Sequence, residues 1–375
     1  MPSVLIVGAG IFGASLAHRL SGQGWAVTLV EQYQPGHVRA SSGGESRLIR
    51  FSHGSDPWHT RSAWRSLRLW RELEEETGAE LLVTPGVAWF AGREDGWEVS
   101  SERVLREEGI PVERLDPKEA AELFPDLRYD DLALVVYEPE AGILHARRAV
   151  QVMARQAVRR GAHLRTGRAE PDGASLLVDG ERLRADRVVW ACGPWIARLF
   201  PGLVELRVTQ QDVFFFGAGP EWSTPPVPGW VDYDQAAYGL GDLDGRGMKL
   251  APDVEGPDFD PDHDPRVPLP ENEQRARRYL ERRFPSLAGA PLVGSRTCQY
   301  ALTGDTRFVV APHPEHEEVW LLGGGSGHGF KHGPALAEYV QRLLEGEERP
   351  DPRLGLGERS PDRSLRTAGR QGAGR

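Results

Sequence analysis

The chain opens with Val4-Leu5-Ile6-Val7, runs into Gly8-Ala9-Gly10-Ile11-Phe12-Gly13, and continues as Ala14-Ser15-Leu16-Ala17-His18-Arg19-Leu20. The first four residues are apolar, and Val4, Ile6 and Val7 are β-branched, as a strand buried on both faces requires. The residues after Gly13 carry helical apolar spacing. In such a turn the glycine at 8 permits the sharp bend, and the glycine at 10 lets backbone approach a pyrophosphate. The glycine at 13 lets helix and strand pack closely. The helix start offers unpaired N–H groups and the positive end of its dipole, with Ile11 and Phe12 in the first turn. A second strand, Ala26-Val27-Thr28-Leu29-Val30, ends at Glu31, where a ribose 2′-OH needs an acceptor. The alternative is a glycine-rich turn in an ordinary α/β domain. A strand before, a helix after and the acid closing the second strand favour a dinucleotide site.

The rest of the chain reads as two interleaved textures. Gln32 to Ser46 is a loop rich in Gly, Ser and Pro, placed to run over the ribose and ring of a bound dinucleotide, with Ser42 among its contacts. Trp58 to Glu76 is an amphipathic helix closed by Gly78, Leu81 to Phe90 is strand-like, and Glu102 to Glu108 and Pro117 to Phe124 are short helices. A helix from Ala146 to Arg159 precedes strand His163 to Thr166 and a hairpin about Asp179-Gly180. The run Arg187-Val188-Val189-Trp190-Ala191-Cys192-Gly193-Pro194-Trp195 is another buried strand ending in glycine. Its backbone at Cys192 and Gly193, with Trp195 beyond, either passes the cofactor or only ends the strand. From Leu206 the texture becomes antiparallel: strands at 208–216, 230–233, 237–240 and 248–250, then a helix from Glu271 to Arg283. Strands at 298–302, 308–310 and 319–322 lead into Gly323-Gly324-Gly325-Ser326-Gly327-His328-Gly329-Phe330-Lys331, and a last helix runs from Pro334 to Leu344. Residues from 348 onward are apolar-poor and expected to be disordered.

Composition excludes several classes. With 45 basic against 55 acidic residues the net charge is −10, which argues against a nucleic-acid partner. No apolar run approaches membrane-spanning length. The first strand begins at the N-terminus with no signal-peptide pattern, and the two cysteines, Cys192 and Cys298, make no disulfide framework. The expectation is a cytoplasmic protein, monomeric or a small homo-oligomer, with no metal site.

The second glycine-rich turn decides between cofactors. A strand feeding five glycines and then a helix makes another array of inward N–H groups, which a nicotinamide enzyme does not need near its C-terminus. A flavin enzyme does, because the reduced isoalloxazine carries negative charge near N1 and C2=O. The cofactor expected is FAD, and the fold expected is α/β plus antiparallel β. A Rossmann-like FAD-binding domain (1–80, 141–205 and 291–347) interleaves with an antiparallel-sheet substrate domain (81–140 and 206–290), followed by a tail at 348–375.

Six stretches resemble the monomeric sarcosine oxidase and N-methyl amino acid oxidase family among the D-amino-acid-oxidase-type flavoenzymes. They are Gly8 to Gly13, Gly44-Glu45-Ser46-Arg47-Leu48-Ile49-Arg50, Tyr238-Gly239, Gly247-Met248-Lys249-Leu250, Cys298-Gln299-Tyr300 and Gly327-His328-Gly329-Phe330-Lys331. They occur in the family's order across residues 1 to 345. The resemblance implies that Cys298 carries the flavin through an 8α-thioether and that Arg50 and Lys331 hold a substrate carboxylate. It also implies that Lys249 activates O2 beside the flavin, that Arg47 lies near the flavin face, and that Tyr238 lines the pocket. Asp253 and Gly43 stand where family members carry histidines, which points away from sarcosine itself and toward a substrate with a further cationic or polar group.

The residue types suit that chemistry. A guanidinium fork and an ammonium can clamp the carboxylate of a small amino acid and so orient its reacting carbon. Lys249, between Met248 and Leu250, is either an edge lysine or a cation held inward, where it stabilises developing superoxide. Arg296 is placed to help ionise Cys298. His328 either hydrogen-bonds the ring or only tolerates a tight backbone. The expected reaction is oxidation of a secondary amine or amino acid to an imine, with O2 reduced to H2O2. Two alternatives remain open at the level of sequence: a dehydrogenase that passes electrons to another acceptor, and a flavin-binding subunit without catalysis.

Overall fold

Strand Ser3–Val7 has parallel neighbours on both sides, Arg187–Trp190 and Ala26–Glu31, which is why its whole apolar run is buried. The computed structural model describes residues 1–360. The first sheet has six strands in the order Val309–Pro312, Val319–Gly323, Arg187–Trp190, Ser3–Val7, Ala26–Glu31 and His163–Thr166. All pairings are parallel except the antiparallel edge strand Val309–Pro312. The period of two along Ser3–Val7 sorts its side chains. Val4 and Ile6 join one apolar cluster with Leu16, Leu20, Val150 and Val340 of helices Ile11–Ser21, Ala146–Arg159 and Gly333–Leu344. Leu5 and Val7 face a different cluster with Leu176, Val178 and Trp190, beneath a three-stranded antiparallel sheet, 169–183. The turn of that small sheet is Asp179-Gly180, both at positive φ (50° and 86°), a hairpin of the mirror-image type I form.

The second large sheet has eight strands, in the order Leu292–Leu302, Arg207–Phe216, Met248–Pro252, Ala237–Asp242, Gly229–Asp232, Val87–Ala91, Leu134–Glu138 and Glu113–Leu115. It is antiparallel apart from the Gly229–Asp232 and Val87–Ala91 pair. Helix Pro270–Arg283 covers one face through Ala276, Tyr279 and Leu280, which pack with Phe90, Phe214, Phe216 and Trp230. Beneath it lies a buried ion pair: Arg283 donates to Asp232 at 3.0 Å, both 1% exposed, and Tyr279 OH donates to the same carboxylate at 3.1 Å. A third, small antiparallel sheet joins Ser46–Ile49 and Leu82–Val83 to Gly142–His145.

Residues 206–290 thus form a sheet separate from Ser3–Val7, as the change of texture implies. Several boundaries differ. The expected strand 81–90 breaks at Pro85-Gly86, where proline removes a donor and Gly86 takes φ +86°, so its halves enter different sheets. The helix expected at 102–108 begins at Trp97, and the one expected at 117–124 ends at Ala121. The strand carrying Cys298 begins at Leu292 and pairs along its length with Arg207–Phe216. It therefore belongs to the eight-stranded sheet, whereas the sequence reading groups 291–347 with the first one. Residues 348–360 are ordered, against expectation: Leu354 is 1% exposed, Asp351 N–H donates to Tyr339 OH, and the Arg359 guanidinium donates to Asp305 and to the Phe308 and Gly355 carbonyls. Two side chains suffice to pin a polar segment to the core. The rest of the expected tail, 361–375, lies outside the described residues.

Candidate active site

At the first turn a Cβ on Gly8 would stand 2.6 Å from the Ala191 carbonyl oxygen, and one on Gly13 would stand 1.9 Å from the Gly8 carbonyl oxygen. Both positions therefore require glycine, Gly8 for strand contact and Gly13 for helix contact. At Gly10 the nearest atom to such a Cβ is Ser42 Oγ at 3.5 Å, so the backbone there is open to the cleft. Ile11 N–H donates to Ser42 Oγ at 3.0 Å, which ties the 32–46 loop to the helix start. Glu31 accepts from Ala9 N–H at 2.7 Å and Tyr33 N–H at 3.0 Å, and burial pushes its carboxyl above the usual range. The Cys192 thiol donates to the Val7 carbonyl at 3.4 Å, and burial pushes its pKa up, as suits a structural thiol. Trp195 is oriented by its indole N–H on Asp262 at 2.9 Å.

Most of these residues line one cleft. Gly8, Gly10, Glu31, Ser42, Cys192 and Gly193 line it together with Gly325, Gly327, Gly329 and Phe330 of the second glycine turn. An elongated dinucleotide fits that shape: an open glycine approach, an acid beyond the second strand and two backbone turns in one cavity.

Arg47, Tyr300, Gly327 and Phe330 also line a second pocket. That pocket brings together Arg50, Lys331, Lys249, Tyr238, Asp253 and Cys298, residues from five separate stretches of chain. The Arg50 guanidinium lies 4.8 Å over the Trp89 ring, donates to the Ser52 carbonyl at 2.8 Å and stands 3.5 Å from Tyr233 OH. Lys331, 2% exposed, donates from Nζ to the His328 carbonyl at 2.9 Å, and its own carbonyl accepts the Trp70 indole N–H at 3.1 Å. Lys249 donates to the Ser46 carbonyl and hydroxyl oxygens, each at 3.1 Å, with Nζ 5.9 Å over the Tyr238 ring. Burial, then the Arg47 cation, brings its pKa down to about 7.

Arg47 spans the junction of the two cavities. Its guanidinium donates to the Ser46 and Ser41 carbonyls at 2.7 and 2.6 Å and lies 3.8 Å from Cys298 Sγ. The cation beside the thiol is thus Arg47, where sequence spacing suggests Arg296. Arg296 is committed to the Glu45 carboxylate and the Gly43 carbonyl. Tyr238 OH stands 3.4 Å from Tyr300 OH, which donates to Asp253 at 3.5 Å, and burial raises the Tyr238 pKa. His328 Nε2 meets the Thr306 carbonyl at 2.8 Å and its ring stacks on Phe308, while Nδ1 has no hydrogen-bond partner among the described residues.

Sequence reasoning missed Glu138. This carboxylate is fully buried and accepts from Ser52 N–H (3.2 Å), Ser52 Oγ (2.6 Å) and Trp89 Nε1 (2.6 Å), besides Phe51 N–H. It anchors the chain just after Arg50 and the ring beneath the Arg50 guanidinium. The only signal was an acid ending the apolar strand Leu134–Glu138. Tyr233 and Tyr300 were also missed, since aromatic residues in strands ordinarily read as packing.

Comparison with known proteins gives this geometry a lineage. The family described as FAD dependent oxidoreductase matches residues 3–343. The chain belongs to that family. It is 32% identical over 357 residues to the monomeric sarcosine oxidase of Streptomyces avermitilis, covering 91% of this chain and 92% of the relative. The monomeric sarcosine oxidase of Bacillus sp. strain B-0618 is 29% identical over 365 residues, with 93% of each chain covered. Among solved structures, L-proline dehydrogenase from P. horikoshii superposes with a TM-score of 0.82 at 21% identity, over 94% of this chain and 95% of that one. That likeness establishes the fold. The protein is an FAD-dependent oxidoreductase, and FAD is its cofactor.

Proposed function

We propose that this enzyme oxidises a small amino acid carrying a secondary amine, of the N-methyl or cyclic imino acid class, to an imine. The observation that carries the reading is the convergence of Arg50 and Lys331 with Lys249, Tyr238 and Cys298 on one pocket that shares its wall with the dinucleotide cleft. FAD, held along the cleft by the two glycine turns and Glu31, would supply the acceptor for the substrate's hydride equivalent and the route of its electrons to O2, giving H2O2, and water would hydrolyse the imine.

The chain's own residues select and hold the substrate. Arg50 and Lys331 bind the carboxylate, a charge-assisted interaction strengthened by the burial of Lys331 and the partial burial of Arg50. Trp89 and Glu138 keep the guanidinium in place, so its fork meets the carboxylate without reorganisation. Tyr238 and Tyr300 supply apolar wall and, with Asp253, a hydrogen-bonded polar edge of the same pocket. Lys249, held by Ser46, supplies a cation to the oxygen half-reaction, as developing superoxide is stabilised by a fixed positive charge. Cys298, with Arg47 against its sulfur, is the candidate for covalent flavin attachment. The enzyme acts on a small molecule with O2, as a monomer in the cytoplasm; no described helix is long and apolar enough to cross a membrane. The FAD-binding segments are 1–80, 141–205 and the chain beyond strand 292–302, and the eight-stranded sheet forms the substrate side.

The test is anaerobic mixing of the flavin-loaded enzyme with N-methyl amino acids, cyclic imino acids and D-amino acids, followed by admission of air. Bleaching by the first two classes and stoichiometric H2O2 on reoxidation support the reading. Bleaching without H2O2 makes it a dehydrogenase, and no bleaching by any member removes amino-acid oxidation.

A further inference from the structure

The Arg50 and Lys331 segments meet through a pair of imidazoles that the chemistry above does not use. His53 is 3% exposed and His332 fully buried, and their Nε2 atoms stand 3.2 Å apart in a hydrogen bond. Which ring donates follows from the outer nitrogens. His53 Nδ1 is 2.8 Å from the Phe51 carbonyl, which can only accept, so this nitrogen carries hydrogen. Burial, then the Lys331 cation, holds both rings well below the usual histidine range, with Arg50 acting in the same direction. The Asp56 carboxylate nearby is taken by His59 and Arg307. Both rings are therefore neutral. A neutral His53 with hydrogen on Nδ1 presents a lone pair at Nε2, so His332 donates to it from its own Nε2. His332 Nδ1 is then an acceptor, and the Ser62 hydroxyl, 3.0 Å away, donates to it. The bonds run in one direction, from Ser62 through His332 and His53 to the Phe51 carbonyl.

We propose that His53 and His332 are positioning residues that hold the two arms of the carboxylate clamp at a fixed separation, an inference that rests on the function proposed above. Each end of the pair is anchored. Ser62, Ser66 and Trp70 recur every four residues on one face of helix Pro57–Thr77. Ser62 bonds His332, Ser66 Oγ accepts the Ala335 N–H at 3.2 Å, and the Trp70 indole N–H donates to the Lys331 carbonyl, so that face carries the Lys331 turn. At the other end the Phe51 peptide, directly after Arg50, is bonded on both sides, its N–H to Glu138 and its carbonyl to His53. The His332–His53 bond joins these two anchored segments. Neutral rings suit the place. Arg50 and Lys331 repel one another until a carboxylate binds both, and an imidazole pair links their segments without adding charge. An acid at either position would pair with those cations and compete with the substrate.

The experiment has two readouts on the flavin-loaded full-length enzyme. The first is nitrogen NMR with 15N-labelled histidine. It should show hydrogen on Nδ1 of His53 and on Nε2 of His332, with scalar coupling between the two Nε2 atoms across the N–H···N bond. The second is anaerobic flavin bleaching by an N-methyl amino acid. His332→Phe keeps a ring and loses the donor, so the half-saturating concentration should rise about tenfold, the scale of one neutral hydrogen bond, while the limiting bleaching rate changes less than about twofold. His332→Gln, whose amide N–H reaches His53 Nε2, should return the concentration to within about twofold of the wild type. If neither variant loads flavin, the NMR decides. Reversed tautomers, a missing coupling, unchanged saturation in a folded His332→Phe, or a His332→Gln no better than His332→Phe overturns the proposal. Coupling present in an enzyme that no amino acid bleaches would fault the proposed function and uphold the pairing.

Discussion

Glu138 accepts the Trp89 indole N–H at 2.6 Å, and the Arg50 guanidinium lies 4.8 Å over that same indole ring. A buried acid thereby fixes, through one aromatic residue, the cation proposed to bind substrate. Glu138→Gln keeps the shape but turns an amide hydrogen toward a cluster of donors. Each hydrogen bond to a charged group contributes about 1.5–3 kcal/mol. The expected result is a KM for amino-acid substrates raised about tenfold, with kcat changed much less. Steady-state kinetics on the folded variant checks it, and an unchanged KM removes Glu138 from the support of Arg50.

Lys249 is held at about pKa 7 inside the pocket. Its cation exists below that pH, so reoxidation of reduced enzyme by O2 should slow as pH rises through about 7, and Lys249→Met should flatten the profile and lower the rate. The stability sign follows from the same depression. The unfolded lysine binds its proton more tightly than the folded one, so burial of the charge is destabilising below pH 7, and stability recovers between pH 7 and the usual lysine range. Lys249→Met should therefore raise the melting temperature more at pH 6 than at pH 10. Equal gains at both pH values would contradict the assignment.

Cys298 has a guanidinium 3.8 Å from its sulfur and lines the substrate pocket, whereas Cys192 lines only the dinucleotide cleft, with its pKa raised by burial. Acid-precipitated protein should stay yellow, and Cys298→Ser should release the colour while Cys192→Ser does not. Intact mass of active, fully loaded enzyme decides: the mass of bare polypeptide means that the flavin is held without a covalent bond.

The Arg283–Asp232 pair is the most deeply buried ion pair beneath the eight-stranded sheet. Arg283→Leu leaves Asp232 uncompensated and should destabilise the protein by about 3–5 kcal/mol. The double variant with Asp232→Leu should recover part of that loss. Denaturant unfolding of both variants measures it, and a single variant as stable as the wild type would show that water replaces the lost partner.

Local chemistry made much of this legible in the sequence. Gly8 and Gly13 announce a strand–turn–helix because no larger residue fits there, and the helix Ala146–Arg159 falls where its apolar spacing places it. Arg47, Arg50, Lys249 and Lys331 were found through motif resemblance and do share a pocket. What stayed hidden depends on distant pairing. Strand Leu292–Leu302 joins the second sheet because Arg207–Phe216 lies beside it, and nothing in its own residues says so. Glu138 looks like a surface acid until Ser52, Trp89 and Phe51 are seen to converge on it. Arg296 is two residues from Cys298 in sequence, yet Glu45 captures it and leaves Arg47 beside the sulfur.

The central claim is that a carboxylate clamp presents a secondary amine for oxidation. The most direct measurement is the anaerobic bleaching rate of the flavin with one N-methyl amino acid and with its methyl ester, which keeps the amine and removes the negative charge. Loss of a desolvated charge-assisted pair is on the order of 3 kcal/mol, so the acid should bleach the flavin at about 100-fold lower concentration than the ester. Arg50→Met should erase most of that difference. Equal bleaching by acid and ester in the wild type would contradict the clamp and, with it, the amino-acid substrate.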